Sequence, residues 1–332
     1  MKILFTLILM ICFSRPPKFE VITYSNANVH ARSIQNFSKN ELLIGTNVGK
    51  YVLVSKNSTK PVSIYLPTTF HTIKEIRDAD KNERYLFYMQ SNDESHVLRQ
   101  TWTGNEDSLL NFSHHGKPVF LDGITLQDSL GFLIGDPVDG DFALFRTKNL
   151  GESWEACPGK VFSQANESAY AASGTTNHII EGDFVFVSGG ETSRFIWSSD
   201  LGESWLSEKI PFESCKTCGA YSLAYKNRKE LVAVGGDYTR PNESRNTCFY
   251  SLDGGRSWLA SKNPPFGYRS CVIFANGMYY ACGTNGIDYS SDHGANWKSL
   301  LKENALSMTT DKRCLYASCM GGKIIKLKLP KK

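Results

Sequence analysis

The chain has 332 residues, 41% of them hydrophobic, and its 37 Lys and Arg stand against 33 Asp and Glu for a formal charge of +4. That balance argues against a nucleic-acid partner, and no block of like charge stands out beyond the short tail from Lys323 to Lys332. After the first residues, no stretch is long and apolar enough to span a membrane as a helix.

The chain opens with MKILFTLILMICF, one Lys followed by an apolar run from Ile3 to Phe13. Polar residues and two prolines come next, the pattern of a secretory signal peptide over residues 1–18. A lipoprotein acylated at Cys12 would need a small residue before that cysteine, and Ile11 is not small. The expectation is therefore a secreted, extracellular protein, with residues 19–330 forming a single monomeric domain.

FEVITY, from Phe19 to Tyr24, reads as a strand. Seven units follow, starting near Arg32, His71, Phe120, Tyr170, Tyr221, Tyr268 and Leu306. Each holds a short strand, a turn, an apolar strand ending in a small residue, and another strand of period-2 character. An octapeptide recurs within them: SSDLGESW from Ser198, SLDGGRSW from Ser251, SSDHGANW from Ser290, and a degenerate TKNLGESW from Thr147.

The recurring tryptophans, Trp154, Trp205, Trp258 and Trp297, set a period of about 40–50 residues, the length of one propeller blade. Within the octapeptide, Ser and Asp side chains can close an Asx-type turn on backbone N–H groups two residues on. Gly151, Gly202, Gly255 and Gly294 supply a left-handed position, and the Trp starts the next strand with a large ring to bury. Identical residues in several units point to scaffolding, so Asp200, Asp253 and Asp292 are assigned a structural role. The predicted fold is all-β, a seven-bladed β-propeller of four-stranded antiparallel blades. The N-terminal strand supplies the outer strand of the seventh blade and closes the ring.

Nine cysteines are present, and eight remain once Cys12 leaves with the signal, an even number that suggests disulfides. Asn276-Gly277 is a two-residue hairpin turn, and counting outward from it sets Cys271 opposite Cys282. Cys314 with Cys319 would be a second local bridge, and Cys215-x-x-Cys218 a third, tight one. Cys157 with Cys248 is the remainder. A zinc site at Cys215 and Cys218 would need two further ligands with suitable spacing, and none is visible nearby. Sequons at Asn36, Asn57, Asn111, Asn166 and Asn242 suit a glycoprotein.

In a propeller, the loops leading into the innermost strands ring one mouth of the central channel. Arg32, Arg77, Asp122, Glu167, Tyr268 and Arg269 fall there in this layout. Asp136, Asp139, Asp237 and Tyr238 lie just after second strands and could approach a face of the ring. Arg32, Arg77 and Arg269 would bind an anionic group, since the guanidinium fork grips carboxylate or phosphate in two places. Glu167 and the aspartates would orient it; the competing reading is a salt-bridge network between blades. Three carboxylates in Asp136-Pro-Val-Asp139-Gly-Asp141 could hold calcium, but their spacing differs from the helix-loop calcium motif, and Asp-Gly is an ordinary hairpin turn. No metal and no cofactor is expected.

Beyond the octapeptides stand GDPVDGDFALFRT from Gly135, ESAYAASGT from Glu167, GGDYTRP from Gly235 and GYRS from Gly267. With these, the chain resembles the Asp-box (bacterial neuraminidase repeat) propellers of the photosystem II stability and assembly factor family. It is most similar there to secreted propellers loosely labelled oxidoreductases. The resemblance covers nearly all of the mature chain, is weakest before about residue 115, and implies a seven-bladed propeller without a defined activity. No dinucleotide fingerprint and no flavin or haem motif supports the oxidoreductase label. Related chains carry Gly-Glu where this one has Asn166-Glu167.

The function expected is a binding or scaffold module with a protein or carbohydrate ligand at the channel mouth. A sialidase-like glycoside hydrolase is the alternative, since sialidases share the Asp box. Such an enzyme needs an arginine cluster, a Tyr nucleophile assisted by Glu, and an acid-base Asp. Its N-terminal Arg-Ile-Pro motif has only Arg15-Pro16-Pro17 as a near match, at the signal junction. A redox protein using Cys215 and Cys218 is the weaker third reading.

Overall fold

The computed structural model describes residues 18–25, 28–57, 74–92, 95–103 and 106–330, and it is a seven-bladed β-propeller. The segment expected to be a signal peptide lies, but for Lys18, outside the described residues. The second to sixth blades are four-stranded antiparallel sheets whose innermost strands are Asp78–Lys81, Leu121–Gln127, Asn177–Ile180, Ala220–Tyr225 and Cys271–Ala275. The first blade shows three strands among the described residues, Ala31–Asn36, Glu41–Thr46 and Tyr51–Ser55. In the seventh, Ala305–Thr310, Cys314–Cys319 and Lys323–Lys328 are completed by Phe19–Thr23, with Ile22 opposite Ile324. The expected closure by the N-terminal strand is present, and it leaves the seventh blade without an open outer edge there.

Apolar side chains of period 2 face the neighbouring blades on both sides. Phe132, Phe184 and Phe186 pack with the half-buried Trp205 between the third and fourth blades. Near the axis the inner strands splay apart and cannot pair as a sheet. Polar side chains cross the gaps instead. Asp78 Oδ2 accepts from Ile124 N at 2.9 Å, and Asp80 Oδ2 from Leu126 N at 2.7 Å. Thr125 Oγ1 donates to Asn177 O at 3.0 Å, and His178 Nε2 to Leu223 O at 2.7 Å. Ser222 Oγ accepts from Val272 N at 2.8 Å, Ser270 Oγ donates to Leu306 O at 2.9 Å, and Ser318 Oγ to Ala31 O at 2.5 Å. Buried backbone groups that would otherwise be orphaned are thereby paired.

The repeated octapeptide is a turn between third and fourth strands. Ser251 Oγ accepts from Gly255 N at 2.8 Å and donates to Asp253 Oδ1 at 2.8 Å; Asp253 Oδ1 in turn accepts from Ser257 N at 3.0 Å. Ser198 with Asp200, Ser290 with Asp292, and even Thr147 with Asn149 repeat the arrangement. The strong bonds reach four residues along the chain, further than the two expected. Each Trp also stands one residue before its strand. Trp258 and Trp297 donate to the turn carbonyls of Gly255 and Gly294, whereas Trp154 and Trp205 leave Nε1 unpaired.

The turn also grips the preceding blade. Trp154 meets Phe87 edge-on at 6.3 Å, and Trp258 meets Phe195 at 5.7 Å. Gly255 has φ +86°, and a Cβ there would overlap the Phe195 ring.

Of the four expected disulfides, Cys215–Cys218 is formed. Cys271 and Cys282 face each other as counted, but both are free, buried thiols. Cys314 and Cys319 are the two ends of one strand, roughly 16 Å apart at about 3.3 Å per residue, far beyond bridging reach. Cys157 packs between the third and fourth blades and Cys248 between the fifth and sixth, so these do not meet either.

Gly255→Ala is expected to cost about 2–4 kcal/mol, from left-handed strain plus overlap with Phe195. Gly140→Ala, at φ +80° with open space around it, should cost about 1 kcal/mol. Urea denaturation of both variants measures the difference, and equal losses would refute the inter-blade role of the turn.

Candidate functional site

The mouth of the channel is a cavity of about 420 Å³. Its lining is set by local irregularities in the inner strands. The register between first and second strands slips at Arg32, Asp122, Tyr221 and Leu306, in four different blades. Each of these bulged residues lines the cavity. A bulge inserts one residue without a cross-strand partner and re-aims its side chain. Asp136 sits at a similar slip between the second and third strands of the third blade.

The floor is a plug. The segment leading into the fourth blade crosses the axis before its strand begins. Ser173 Oγ donates to Ser270 O at 2.8 Å, Ser307 Oγ donates to Ser173 O at 2.9 Å, and Thr175 Oγ1 lies 2.6 Å from Ser222 Oγ. Gly174, at φ +72°, packs so closely on Asp78 that a Cβ would overlap the carboxylate. Four other blades thus hold the plug, and a second cavity of about 210 Å³ lies on its far side. The motif ESAYAASGT is this plug and its approach.

The cavity has two unlike walls. Blades one to three contribute Arg32, Arg77, Asp122 and Asp136. Arg32 Nε is buried without a hydrogen-bond partner. Arg77 Nε lies 3.0 Å from Glu75 Oε2 as an ion pair, but the angle is too poor for a hydrogen bond. Burial, followed by the Asp136 charge, holds the Asp122 carboxyl well above the usual carboxylate range. Neither of its oxygens makes a well-formed hydrogen bond. Asp136 is pushed up to about 6, mainly by burial and against the Ala169 N–H that bonds it. With its proton held more tightly, Asp122 neutralises the neighbouring arginines less than an ordinary carboxylate would.

The opposite wall is aromatic. Tyr170 and Tyr221 stack at 3.9 Å with 3° between planes, and Tyr268 meets Tyr221 edge-on at 4.9 Å. Tyr238 stands over them, half exposed. Tyr221 Oη donates to Thr217 O at 2.8 Å and Tyr170 Oη to Cys218 O at 3.1 Å, so the rings are fixed against the disulfide loop.

Of the residues expected at the mouth, Arg32, Arg77, Asp122, Asp136, Tyr238 and Tyr268 line it. Four do not. Glu167 is buried and clamped by Arg194 Nε and Nη2, each at 2.8 Å. Arg269 is fully buried and paired with Asp288, with Nη1 donating to Asn285 Oδ1 at 2.6 Å. For these two, the competing salt-bridge reading holds, although each pair lies within its own blade and does not cross between blades. Asp237 accepts from Thr217, Thr239 and Arg240 and orders the loop beside the Cys215–Cys218 bridge. Asp139 is exposed, 2.6 Å from Lys117, in a left-handed Asp139-Gly140 hairpin turn. The aspartates at 136, 139 and 141 therefore diverge, as the turn reading requires. Phe120, Tyr170, Tyr221 and Leu306 were missed. Tyr170, Tyr221 and Leu306 start units in the sequence just as Tyr268 does, which was the signal.

Asn57, Asn111, Asn166 and Asn242 are exposed, whereas Asn36 is half-buried and bonded to Lys56. Asn166 has φ 51°, a left-handed position that Asn tolerates better than most residues.

No family model and no curated protein matches this sequence. Solved structures do match. Virginiamycin B lyase from Staphylococcus aureus has a TM-score of 0.68 at 12% identity, covering 94% of this chain and 99% of that one. YCF48 from Cyanidioschyzon merolae gives 0.67 at 11%, covering 93% and 98%. YCF48 bound to D1 peptide gives 0.64 at 12%, covering 96% and 98%. At such identities the likeness is one of fold, a β-propeller.

Under the plug, burial pushes the Asp78 carboxyl up to about 8, with Asp80 adding to it and the Ile124 N–H opposing. The folded protein thus holds a proton that the unfolded chain releases near pH ~4. This contribution is greatest below that pH and is lost as pH rises to about 8. Asp78→Asn keeps an acceptor for Ile124 N–H and removes the titration. Its stability, measured by denaturant titration at pH 5 and 8, should fall less with pH than that of the parent; an equal fall would refute the assignment.

Proposed function

We propose that this propeller is a secreted binding module whose mouth takes an extended segment of a protein partner. An acidic group of that segment sits on Arg32 and Arg77. An aromatic or aliphatic side chain packs on the wall of Tyr170, Tyr221, Tyr238 and Tyr268. The observation that carries this reading is the buried, unbonded Nε of Arg32 facing a tyrosine wall across one blind cavity. An unsatisfied buried guanidinium N–H gains most from an incoming anion. The YCF48 structure with a D1 peptide supports the reading by example, as a similarly folded propeller that holds a peptide. The apolar N-terminal run, the Cys215–Cys218 bridge and the exposed sequons support secretion. The repeated turns support an Asp-box propeller.

The hydrolase alternative has less behind it. Asp122 and Asp136 come from one blade and the charge of Asp136 raises the Asp122 carboxyl, unlike acids placed on either side of a scissile bond. A Tyr nucleophile needs an easily lost proton, and burial pushes Tyr170 up to about 12, with Tyr221 and Tyr268 higher still.

Screening the mature chain against peptides with an acidic group beside an aromatic residue, by fluorescence polarisation, should find binders. Arg32→Ala and Arg77→Ala should each weaken them roughly tenfold or more, while Asp253→Asn leaves affinity unchanged. Absence of peptide binding, or capture of acidic oligosaccharides instead, would refute the protein-partner reading.

A further inference from the structure

Outside the mouth, a third set of polar side chains converges on the outer flank of the third blade. Ser113–His114 pairs with Lys117–Pro118, and His115 and Gly116 form the two-residue turn between them. Both turn residues are left-handed, with φ 50° and 72°. On a regular strand, successive side chains point to opposite faces. The left-handed His115 breaks that alternation and brings the two imidazoles to one side, their centroids 4.1 Å apart. Both then aim Nε2 at the same atom, Asp141 Oδ2, at 3.1 Å and 3.3 Å.

Asp141 is anchored for this role. It opens the third strand of the blade and is buried, and its other oxygen accepts Val161 N at 3.2 Å. We propose that His114 Nε2, His115 Nε2 and Asp141 Oδ2 are the protein ligands of one divalent transition-metal ion, with zinc the best fit. A tetrahedral zinc with bonds of about 2.0–2.1 Å has ligand-to-ligand edges of roughly 3.3–3.4 Å. The two imidazole-to-carboxylate separations are already close to that edge, and all three ligand atoms lie within 4.8 Å of one another. Two imidazoles and one carboxylate suit zinc, nickel, cobalt or copper better than calcium or magnesium, which prefer all-oxygen shells. The Val161 N–H orients the carboxylate from outside, as second partners of metal ligands do.

Hydrogen bonding alone does not account for the arrangement. One imidazole would satisfy Asp141 Oδ2, yet two converge on it. His115 is exposed enough to leave a fourth position open to solvent. The ion would also tie the hairpin that carries Asp136 to the short strand pair before the third blade.

The full mature chain, stripped with chelator, should take up one equivalent of zinc or cobalt with micromolar or tighter affinity by calorimetry, and cobalt should give the absorption of a four-coordinate site. His114→Ala, His115→Ala and Asp141→Asn should each lower affinity roughly tenfold or more. Asn still offers an acceptor to Val161 N–H. His293→Ala, in another blade, should change nothing. Should the variants misfold, imidazole NMR of the unmodified chain decides: zinc should shift the Nε2 signals of His114 and His115 and of no other histidine. Lack of stoichiometric uptake, unchanged affinity in the folded variants, or shifts at other histidines would overturn the proposal.

Discussion

Seven blades radiating from an axis leave a gap at the centre that no sheet hydrogen bond can close. In this protein that gap is filled by three small residues, Ser173, Gly174 and Thr175, held by the second, fifth, sixth and seventh blades. A Cβ at Gly174 would overlap the Asp78 carboxylate, and the hydroxyls of Ser173 and Ser307 reach carbonyls across the gap. The plug therefore turns a channel into two blind cups. Anything bound at the mouth sits on a floor and does not pass through.

That floor explains the character of the mouth. Four of the side chains entering it, Arg32, Asp122, Tyr221 and Leu306, belong to strand starts, where bulges re-aim them toward the axis. The same plug packs on Asp78 through Gly174, and Asp122 is buried in the cavity wall. Burial there is what lifts both carboxyls out of their ordinary range. Charge is concentrated on blades one to three and aromatic surface on blades four to six. The cavity thus has a direction, which suits a ligand with one anionic and one apolar end.

The repeat made the scaffold legible in the sequence. A Ser, an Asp and a Gly at fixed spacing before Trp specify one turn by local bonds, so reading them needed no tertiary knowledge. Ring closure by FEVITY was readable for the same reason, since a lone strand before the first unit has one place to go. What failed were pairings made at a distance. Glu167 and Arg269 read as mouth residues, yet their partners Arg194 and Asp288 lie in later strands of their own blades and draw them away from the axis. Cysteine pairing by elimination failed because buried thiols pack well as small apolar groups, as Cys157 and Cys248 do between blades. The bulges carry no sequence mark of their own, so the aim of Tyr221 could be inferred only from its place at the start of a unit.

Repetition and divergence then separate scaffold from function. At the outer turns four blades keep nearly the same residues, because each turn solves the same problem of gripping the blade before it. At the inner strand starts the blades are geometrically equivalent, yet they present Arg, Asp, Tyr and Leu. A scaffold requirement would have produced one residue type at those positions, or at most small ones, as it did among the serines that stitch the inner strands. Chemical divergence at equivalent positions, aimed into one cavity, is what a binding site on a repeated frame has to look like. This contrast supports the mouth as the proposed binding surface and places the octapeptide aspartates, however numerous, with the frame.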